Sequence, residues 1–247
     1  CVQKEIIFEA KSVSGNGDKN ISLQIHKGEV LGLGGLVGAG RTEFAEMVFG
    51  AENKISGQFF FKGKEINPRT PREAIRIGIG LVPEDRKAKG ALLDLSIQEN
   101  INMPIYQRLS RGPVIDYKKA KKIAQKYREE ISIKTTSLEQ KVKNLSGGNQ
   151  QKVILAKWLA AESELLIFDE PTRGIDVGAK QEIYTLINEL VEQGKAVLMI
   201  SSEMEELMGM SDRIIILAEG CISGEITKPE FNQETIMQMA SKERKEQ

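Results

Sequence analysis

Residues 30–42 read VLGLGGLVGAGRT, an apolar run that passes directly into a glycine-rich loop. The apolar part, Val30 to Leu33, has the length and composition of a buried parallel strand, and a helical pattern follows from Glu43 to Phe49. In such a strand–loop–helix turn the backbone N–H groups face inward, and the helix dipole adds to their attraction for an anion. The stretch therefore predicts an α/β fold with a phosphate loop. The predicted loop residues are Gly35, Leu36, Val37, Gly38, Ala39, Gly40, Arg41, Thr42 and Glu43.

The end of this loop leaves two interpretations open. Arg41 stands where phosphate loops usually carry lysine, and its planar guanidinium is a broader group than a compact ammonium. Thr42 follows with a hydroxyl that can coordinate Mg²⁺. Taken alone, the loop also fits a glycine-rich strand-to-helix turn that binds no ligand.

The rest of the chain alternates short apolar runs with helical patterns, which predicts βαβ units and a mostly parallel sheet. The runs typical of buried parallel strands are Val30 to Leu33, Leu165 to Phe168, Ala196 to Ile200 and Ile214 to Leu217. Runs that predict a small antiparallel sheet near the N-terminus are Ile6 to Phe8, the alternating Ile21, Leu23 and Ile25, and Phe59 to Phe61. Residues 91–150 lack buried-strand runs and contain helix-start signals, so we expect a helical subdomain there. Residues 1–90 and 151–247 would form the α/β core with the antiparallel sheet, in one domain.

Composition excludes several classes of protein. The sequence has 35 Lys and Arg residues against 35 Asp and Glu residues, so a strong electrostatic field and a nucleic-acid partner are disfavoured. No apolar run approaches the ~18 residues of a membrane-spanning helix. Cys1 and Cys221 lie too far apart to suggest a metal site. The first residue is Cys and not Met, so we expect a domain cut from a longer polypeptide.

The apolar run that begins at Leu165 ends in two acidic residues, Asp169 and Glu170. At the carboxyl end of a strand, Asp169 can hold Mg²⁺ through water, and Glu170 can orient or deprotonate an attacking water. The alternative is a pair of solvated charges at a strand end.

A second candidate anion site lies at the sequence LSGGNQQK, residues 145–152. A serine and two glycines stand at the start of a helix that we expect to run to about Leu159, so backbone N–H groups and the helix dipole converge there. One domain does not need two such helix termini for one triphosphate, so the second would serve a nucleotide held by another domain. The alternative is an ordinary helix cap. The residues of this predicted partner-site signature are Ser146, Gly147, Gly148, Asn149 and Gln150.

The order of these motifs resembles that of the ABC ATPases, over nearly the whole chain. Five segments, GLVGAGRTE, GLVPEDRK, LSGGNQQK, DEPTRGIDVGAK and ISSEMEEL, are together similar to the C-terminal ATPase half of the tandem monosaccharide importers for ribose, galactose and xylose. The resemblance implies an ABC-type P-loop core, ATP and Mg²⁺ as ligands, and ATP hydrolysis that drives sugar uptake. By the same resemblance Asp169 is the Walker B aspartate, a metal ligand with Thr42, and Glu170 is the catalytic glutamate.

The resemblance also assigns three positions at which the roles are less direct. Glu84 occupies the nucleotide-sensing Q-loop position, where most members have Gln, and Ser202 occupies that of the switch histidine. Both are carried over as ATP-binding residues. Asp176 matches the D-loop at the dimer seam. Ser202 with Glu205 also fits a capping box, so a plain helix start is the alternative there.

The implied partners are a second nucleotide-binding domain, upstream on the same polypeptide, and a transmembrane permease. A periplasmic or lipid-anchored sugar-binding protein would act indirectly, and no nucleic acid is expected. The chain would lie peripherally at the cytoplasmic face of the membrane. The other class of function considered is a soluble ABC ATPase that acts on nucleic acid or the ribosome.

Two hypotheses about hydrolysis remain open. Retained Glu170 favours a competent ATPase. The residues at Arg41, Glu84 and Ser202, and the sequence SVSGNG at residues 12–17 where the family carries an aromatic that stacks on adenine, favour a degenerate half. Such a half would bind nucleotide weakly and lend its signature to the partner's site.

Overall fold

The computed structural model describes residues 2–112 and 114–241, with the side chain of Arg111 left out, so Cys1 lies outside the described residues. The chain divides into two compact units. Within the described residues, the first unit comprises residues 2–81, 164–170 and 188–241, and the second comprises residues 82–163 and 171–187.

The bounds of the regular elements follow the chain order. The strands are β1 (Ile6–Gly15), β2 (Asp18–His26), β3 (Val30–Gly35), β4 (Ser56–Phe61), β5 (Lys64–Ile66), β6 (Ile79–Val82), β7 (Ser110–Arg111), β8 (Val114–Ile115), β9 (Leu165–Asp169), β10 (Ala196–Ile200), β11 (Arg213–Ala218) and β12 (Cys221–Thr227). The α-helices are α1 (Arg41–Val48), α2 (Pro71–Ile77), α3 (Ile97–Asn102), α4 (Tyr106–Leu109), α5 (Tyr117–Glu130), α6 (Gly147–Ala160), α7 (Val177–Glu192), α8 (Met204–Met210) and α9 (Gln233–Ala240). Arg86–Gly90 forms a π-helical turn, and Met103–Ile105, Val142–Asn144 and Lys228–Glu230 form 3₁₀ turns.

A six-stranded sheet in the order β12-β11-β3-β10-β9-β6 forms the core of the first unit. Strands β11, β3, β10 and β9 are parallel, and β12 pairs antiparallel at the edge. Every residue of β9 and β10 is buried, which explains why these strands carry continuous apolar runs and no alternation. The four buried parallel strands expected from the sequence are confirmed, and so is the α/β class.

The first unit also contains a four-stranded antiparallel sheet in the order β2-β1-β4-β5. Ile21, Leu23 and Ile25 of β2 are buried while their neighbours Ser22 and Gln24 are more exposed, as expected for a strand with one face on the core. The antiparallel sheet predicted near the N-terminus is therefore confirmed.

The second unit is mainly helical, and its helix starts follow the local sequence signals. Ser96 and Glu99 form the complete capping box at α3, and the Asp116 side chain accepts a hydrogen bond from the Lys119 N–H at α5. Helix α6 packs against α3 and α5. In the part of this unit that the structure describes, the only strands are the two-residue pair β7 and β8, in addition to the end of β6. None of the helices within residues 2–112 and 114–241 has the length and apolar character needed to cross a membrane.

Candidate functional site

The glycine-rich loop leads from β3 into α1, and its backbone needs glycine. Gly38 and Gly40 have φ values of 80° and 105°, a left-handed region in which other residues are strained. At Gly40 a Cβ would clash with Oδ1 of the buried Asp18, which is a second reason for glycine at this position. Helix α1 starts immediately afterwards at Arg41, and no side chain among the described residues caps it. The N–H groups of its first turn are therefore available to an anion held in the loop.

Thr42 and Asp169 lie close together at one edge of the six-stranded sheet. Thr42 is in the first turn of α1, which follows β3, and Asp169 is the last residue of β9. The Thr42 hydroxyl donates a hydrogen bond to the Asp169 carboxylate. Asp169 is only 3% exposed, and its Oδ1 has no partner among the described residues. The pKa of Asp169 is raised to about 6, mainly by burial and also by the charges of Glu170 and Glu46, while the Thr42 hydrogen bond and the charge of Arg41 oppose the rise.

This pair fits Mg²⁺. A carboxylate and a hydroxyl are the hard oxygen donors that Mg²⁺ prefers, and Mg²⁺ usually takes its remaining ligands from water and substrate phosphates. No cluster of three or more His, Cys, Asp or Glu side chains that could enclose a metal occurs in the described part of the chain. Two protein ligands, Thr42 and Asp169, are too few to enclose a metal ion. They match a site in which the metal takes its remaining ligands from water and a nucleotide.

Arg41 does not extend into the loop. Its side chain is buried, and Nη1 donates a hydrogen bond to the carbonyl oxygen of Ser201 at 3.0 Å. Strands β3 and β10 are neighbours in the sheet, so the residues that follow them, Arg41 and Ser201, come together. The positive charge of Arg41 also acts on Asp169. Arg41, the cation of the predicted phosphate loop, is thus bonded to Ser201, which follows β10.

Glu170 and Ser202 are brought together at the ends of β9 and β10. The Ser202 hydroxyl donates a hydrogen bond to Oε2 of Glu170 at 3.0 Å, and the Glu170 N–H donates to the carbonyl oxygen of Ile200 at 2.9 Å. Glu170 has a φ of 50°, a conformation that non-glycine residues rarely adopt and that occurs often at functional sites. The carboxylate of Glu170 is therefore held at a defined orientation.

The alternative that Ser202 merely starts a helix is wrong. Helix α8 begins at Met204 with Glu203 at the N-cap position, and the Glu203 side chain makes no capping hydrogen bond. Ser202 is engaged with Glu170, and the preceding Ser201 donates its hydroxyl hydrogen to Oε2 of Glu206 at 2.5 Å. The tertiary contact with β9 overrides the local capping pattern.

Asp18 is a site residue that sequence reasoning missed. It begins β2, is 2% exposed, and neither of its carboxylate oxygens has a hydrogen-bond partner among the described residues. Burial, with a smaller contribution from the nearby charge of Glu43, raises the pKa of Asp18 to about 7. Its place beside Gly40 puts an ionisable group against the phosphate loop. No local sequence signal marks it, because the contact with Gly40 joins residues that are distant in the chain.

Asp18→Asn is expected to stabilise the protein at neutral pH. The folded-state pKa lies above the unfolded value, so the native state binds the extra proton, and stability is lost as the pH rises from about 4 to about 7. Asn cannot ionise, so the gain should be larger at pH 8 than at pH 5 by roughly 2 kcal/mol. Urea unfolding at the two pH values measures this difference. An equal gain at both would show that Asp18 ionises normally in the folded protein.

The signature residues lie in the second unit at the start of α6. Ser146 occupies the N-cap position, yet no side chain among the described residues caps this helix. The Ser146 hydroxyl instead accepts a hydrogen bond from Asn149 Nδ2 at 3.0 Å, and Asn149 Oδ1 accepts one from the Lys134 N–H at 2.8 Å. Gln150 donates to the carbonyl oxygens of Val142 and Leu145. The signature side chains thus fix the loop, and the ordinary-cap alternative does not describe Ser146.

Glu84 and Asp176 also lie in the second unit. Glu84 forms an ion pair with the side chain of Arg173. Asp176 precedes α7, and its Oδ1 accepts a hydrogen bond from the Ala179 N–H at 3.0 Å, so it caps that helix. Arg86, which the sequence analysis did not single out, donates from Nη1 and Nη2 to the carbonyl oxygens of Arg173 and Gly174 at 2.7 and 3.2 Å.

Comparison with known proteins gives a consistent family. A family model described as "ABC transporter" matches residues 19–173. The ribose import ATP-binding protein of Bacillus cereus is 47% identical over 238 residues, which cover 96% of this chain and 48% of that protein. The xylose import ATP-binding protein of Thermoanaerobacter pseudethanolicus is 48% identical over 246 residues, covering 96% of this chain and 49% of that protein. The chain thus spans about half the length of these curated relatives.

Solved structures agree on the fold. The dimeric post-hydrolysis state of an ATP-binding cassette bound to ADP and Pi matches with a TM-score of 0.76 at 24% identity, over 91% of this chain and 100% of that one. The cbiO1 structure from Clostridium perfringens, part of an ABC transporter complex, matches with a TM-score of 0.77 at 20% identity, over 95% and 93% of the two chains.

Proposed function

Because the chain belongs to the ABC transporter family, we propose that it is the ATP-binding domain of an importer that couples Mg-ATP binding and hydrolysis to uptake of a monosaccharide. The sugar class rests on relatives whose names specify ribose and xylose import. The observation that carries the proposal is the meeting of Thr42, Asp169 and Glu170 beside a glycine-rich helix start. ATP and Mg²⁺ are the ligands that this combination fits.

Each residue of the first-unit site has a separable role in this proposal. The loop from Gly35 to Thr42 binds the phosphates through backbone N–H groups, and Thr42 and Asp169 hold Mg²⁺, which neutralises charge on the phosphate oxygens. Glu170 orients the attacking water and accepts its proton. The hydrogen bond from Ser202 keeps the Glu170 carboxylate in place.

We further propose that hydrolysis at this site is weak and that the chain is the C-terminal half of a tandem ATPase. Arg41 stands where phosphate loops usually carry lysine, and its Nη1 is bonded to the carbonyl oxygen of Ser201. Residues 12–17 provide no aromatic ring for adenine. Loss of stacking worth roughly 1–3 kcal/mol weakens nucleotide binding about 10- to 100-fold.

The same proposal assigns the partners. A second nucleotide-binding domain, upstream on the same polypeptide, would hold the nucleotide that Ser146 to Gln150 contact, with Asp176 at the seam. Glu84 would sense nucleotide, and residues 84–111 would hold the face that docks on the transmembrane permease, to which a periplasmic or lipid-anchored sugar-binding protein delivers the sugar. The chain would then be peripheral at the cytoplasmic face of the membrane. A role on nucleic acid or the ribosome is not favoured, since the net charge is zero and the relatives named above are import proteins.

The chain alone is expected to hydrolyse ATP far more slowly than ~10 s⁻¹, the typical enzyme value, because its own site lacks the stacking ring and a partner's signature. Steady-state phosphate release with saturating Mg-ATP measures the rate. Asp169→Asn is the matched control for contaminating ATPases, since it removes the metal carboxylate. A rate near ~10 s⁻¹ that Asp169→Asn abolishes would contradict the weak-site proposal.

A further inference from the structure

Arg86 lies at the start of the π-helical turn Arg86–Gly90, and its backbone is firmly held. Asp85 accepts hydrogen bonds from the N–H groups of Lys87 and Ala88, both at 3.0 Å. The guanidinium leaves this turn and donates to two consecutive carbonyl oxygens, those of Arg173 and Gly174. A planar fork that bonds two carbonyls fixes orientation as well as distance, which a lysine ammonium cannot do.

The loop of Arg173 and Gly174 has a second contact with the segment that contains Arg86. Glu84, two residues before Arg86, pairs with the side chain of Arg173. Arg173 is therefore bound through its side chain by Glu84 and through its main chain by Arg86. Gly174, with a φ of 65°, lies in the left-handed region, so the loop turns at the residue whose carbonyl Arg86 contacts. Asp176 follows two residues later.

Gly147, the first residue of α6, lies next to the Arg86 guanidinium. A Cβ placed at Gly147 would lie 3.0 Å from Arg86 Nη2 and 3.6 Å from the Gly174 carbonyl oxygen. The first residue of α6 therefore packs directly on the hydrogen bond between Arg86 and Gly174. The Arg86 guanidinium thus bonds the loop before Asp176 and lies beside the start of the signature helix.

We propose that Arg86 is a positioning residue that holds the loop before Asp176 in register with the first turn of α6. The inference rests on the proposed function, in which both segments face the partner domain's nucleotide. A displacement of Glu84 to Arg86 would then move both partner-facing segments together. Arg86 acts through its hydrogen bonds to the Arg173 and Gly174 carbonyl oxygens.

The experiment uses the full-length polypeptide assembled with its permease. Arg86→Gln and Arg86→Lys are compared with Lys87→Gln, which removes the exposed neighbouring cation. We expect both Arg86 variants to lower kcat for ATP about 100-fold, because a displacement of about 1 Å in a positioning group has effects of that size, with little change in KM. Lys87→Gln should leave both constants unchanged.

A double-mutant cycle with Asp176→Ala tests whether Arg86 acts through the loop before Asp176. If Arg86 acts through this loop, the loss in Arg86→Gln/Asp176→Ala should be smaller than the product of the single losses. Full activity of Arg86→Lys, a raised KM with unchanged kcat, or losses that multiply would each overturn the inference. Should Arg86→Gln fail to fold, Arg86→Lys decides by the same criteria. An unmutated transporter without ATPase activity would instead count against the proposed function.

Discussion

Gly147→Asp is expected to abolish nearly all ATPase activity of the assembled transporter. The new carboxylate would stand in the first turn of α6, where the proposed function requires backbone N–H groups to face the partner's phosphates. Like charges brought together in an interface cost several kcal/mol, and 1.4 kcal/mol is a factor of ten. The carboxylate would also start beside Arg86, since a Cβ at this position lies 3.0 Å from its Nη2, and could take that guanidinium from the loop carbonyls. Phosphate release in the full transporter, with binding protein and sugar present, measures the loss.

Two control variants are needed, one for the added side chain without its charge and one for the chain's own site. Gly147→Ala adds the Cβ without the charge, and its tightest contact, 3.0 Å to Arg86 Nη2, needs only a small shift of a guanidinium that keeps its carbonyl partners, so it should cost far less activity than Gly147→Asp. Glu170→Gln removes the water-orienting base only from the chain's own site and should cost far less than Gly147→Asp, although a general base at a competent site is worth ~10²–10⁴-fold. Complete loss in Glu170→Gln would show that the chain's own site is catalytic and that the weak-site proposal is wrong.

Asp169→Asn is expected to lower Mg-ATP affinity about 10- to 100-fold, the usual effect of removing a group that supports a metal ion. Its carboxylate is buried, hydrogen-bonded by Thr42, and has an oxygen with no partner in residues 2–112 and 114–241 that a metal-bound water can use. An amide cannot supply the charge. Binding of ATP to the full-length polypeptide, titrated with Mg²⁺ and again with EDTA, measures the effect.

The EDTA series is the internal control. Without Mg²⁺ the two proteins should bind ATP about equally, or the variant slightly better, because it has lost a negative charge near the phosphates. Glu46→Gln is the matched charge control, as Glu46 lies on α1 and its charge acts on Asp169. If Asp169→Asn and Glu46→Gln have the same effect with Mg²⁺, Asp169 contributes only general charge and does not hold the metal.

The local features of this fold were predictable because they depend on short-range chemistry. The continuous burial of β9 and β10 requires unbroken apolar runs, and the caps at Ser96 and Asp116 involve residues only three positions apart. Candidate site residues could also be chosen from short patterns. A glycine-rich strand-to-helix turn indicates an anion site, and an acid at the end of a buried strand indicates a metal ligand or a base. Their assigned roles remain predictions that the experiments above test.

The sequence by itself determined the α/β class, the four buried parallel strands, the small antiparallel sheet, the helix starts at Ser96 and Asp116 and the position of the glycine-rich loop, because these follow from burial pattern and from bonds between near neighbours. Only the tertiary structure decided that Arg41 bonds to Ser201, that Ser202 bonds to Glu170 and not to a helix end, and that Asp18 lies against Gly40. Each of these contacts joins residues that belong to different strands or their ends. The order of β3, β10 and β9 in the sheet sets which strand ends are neighbours, and no local pattern encodes that order.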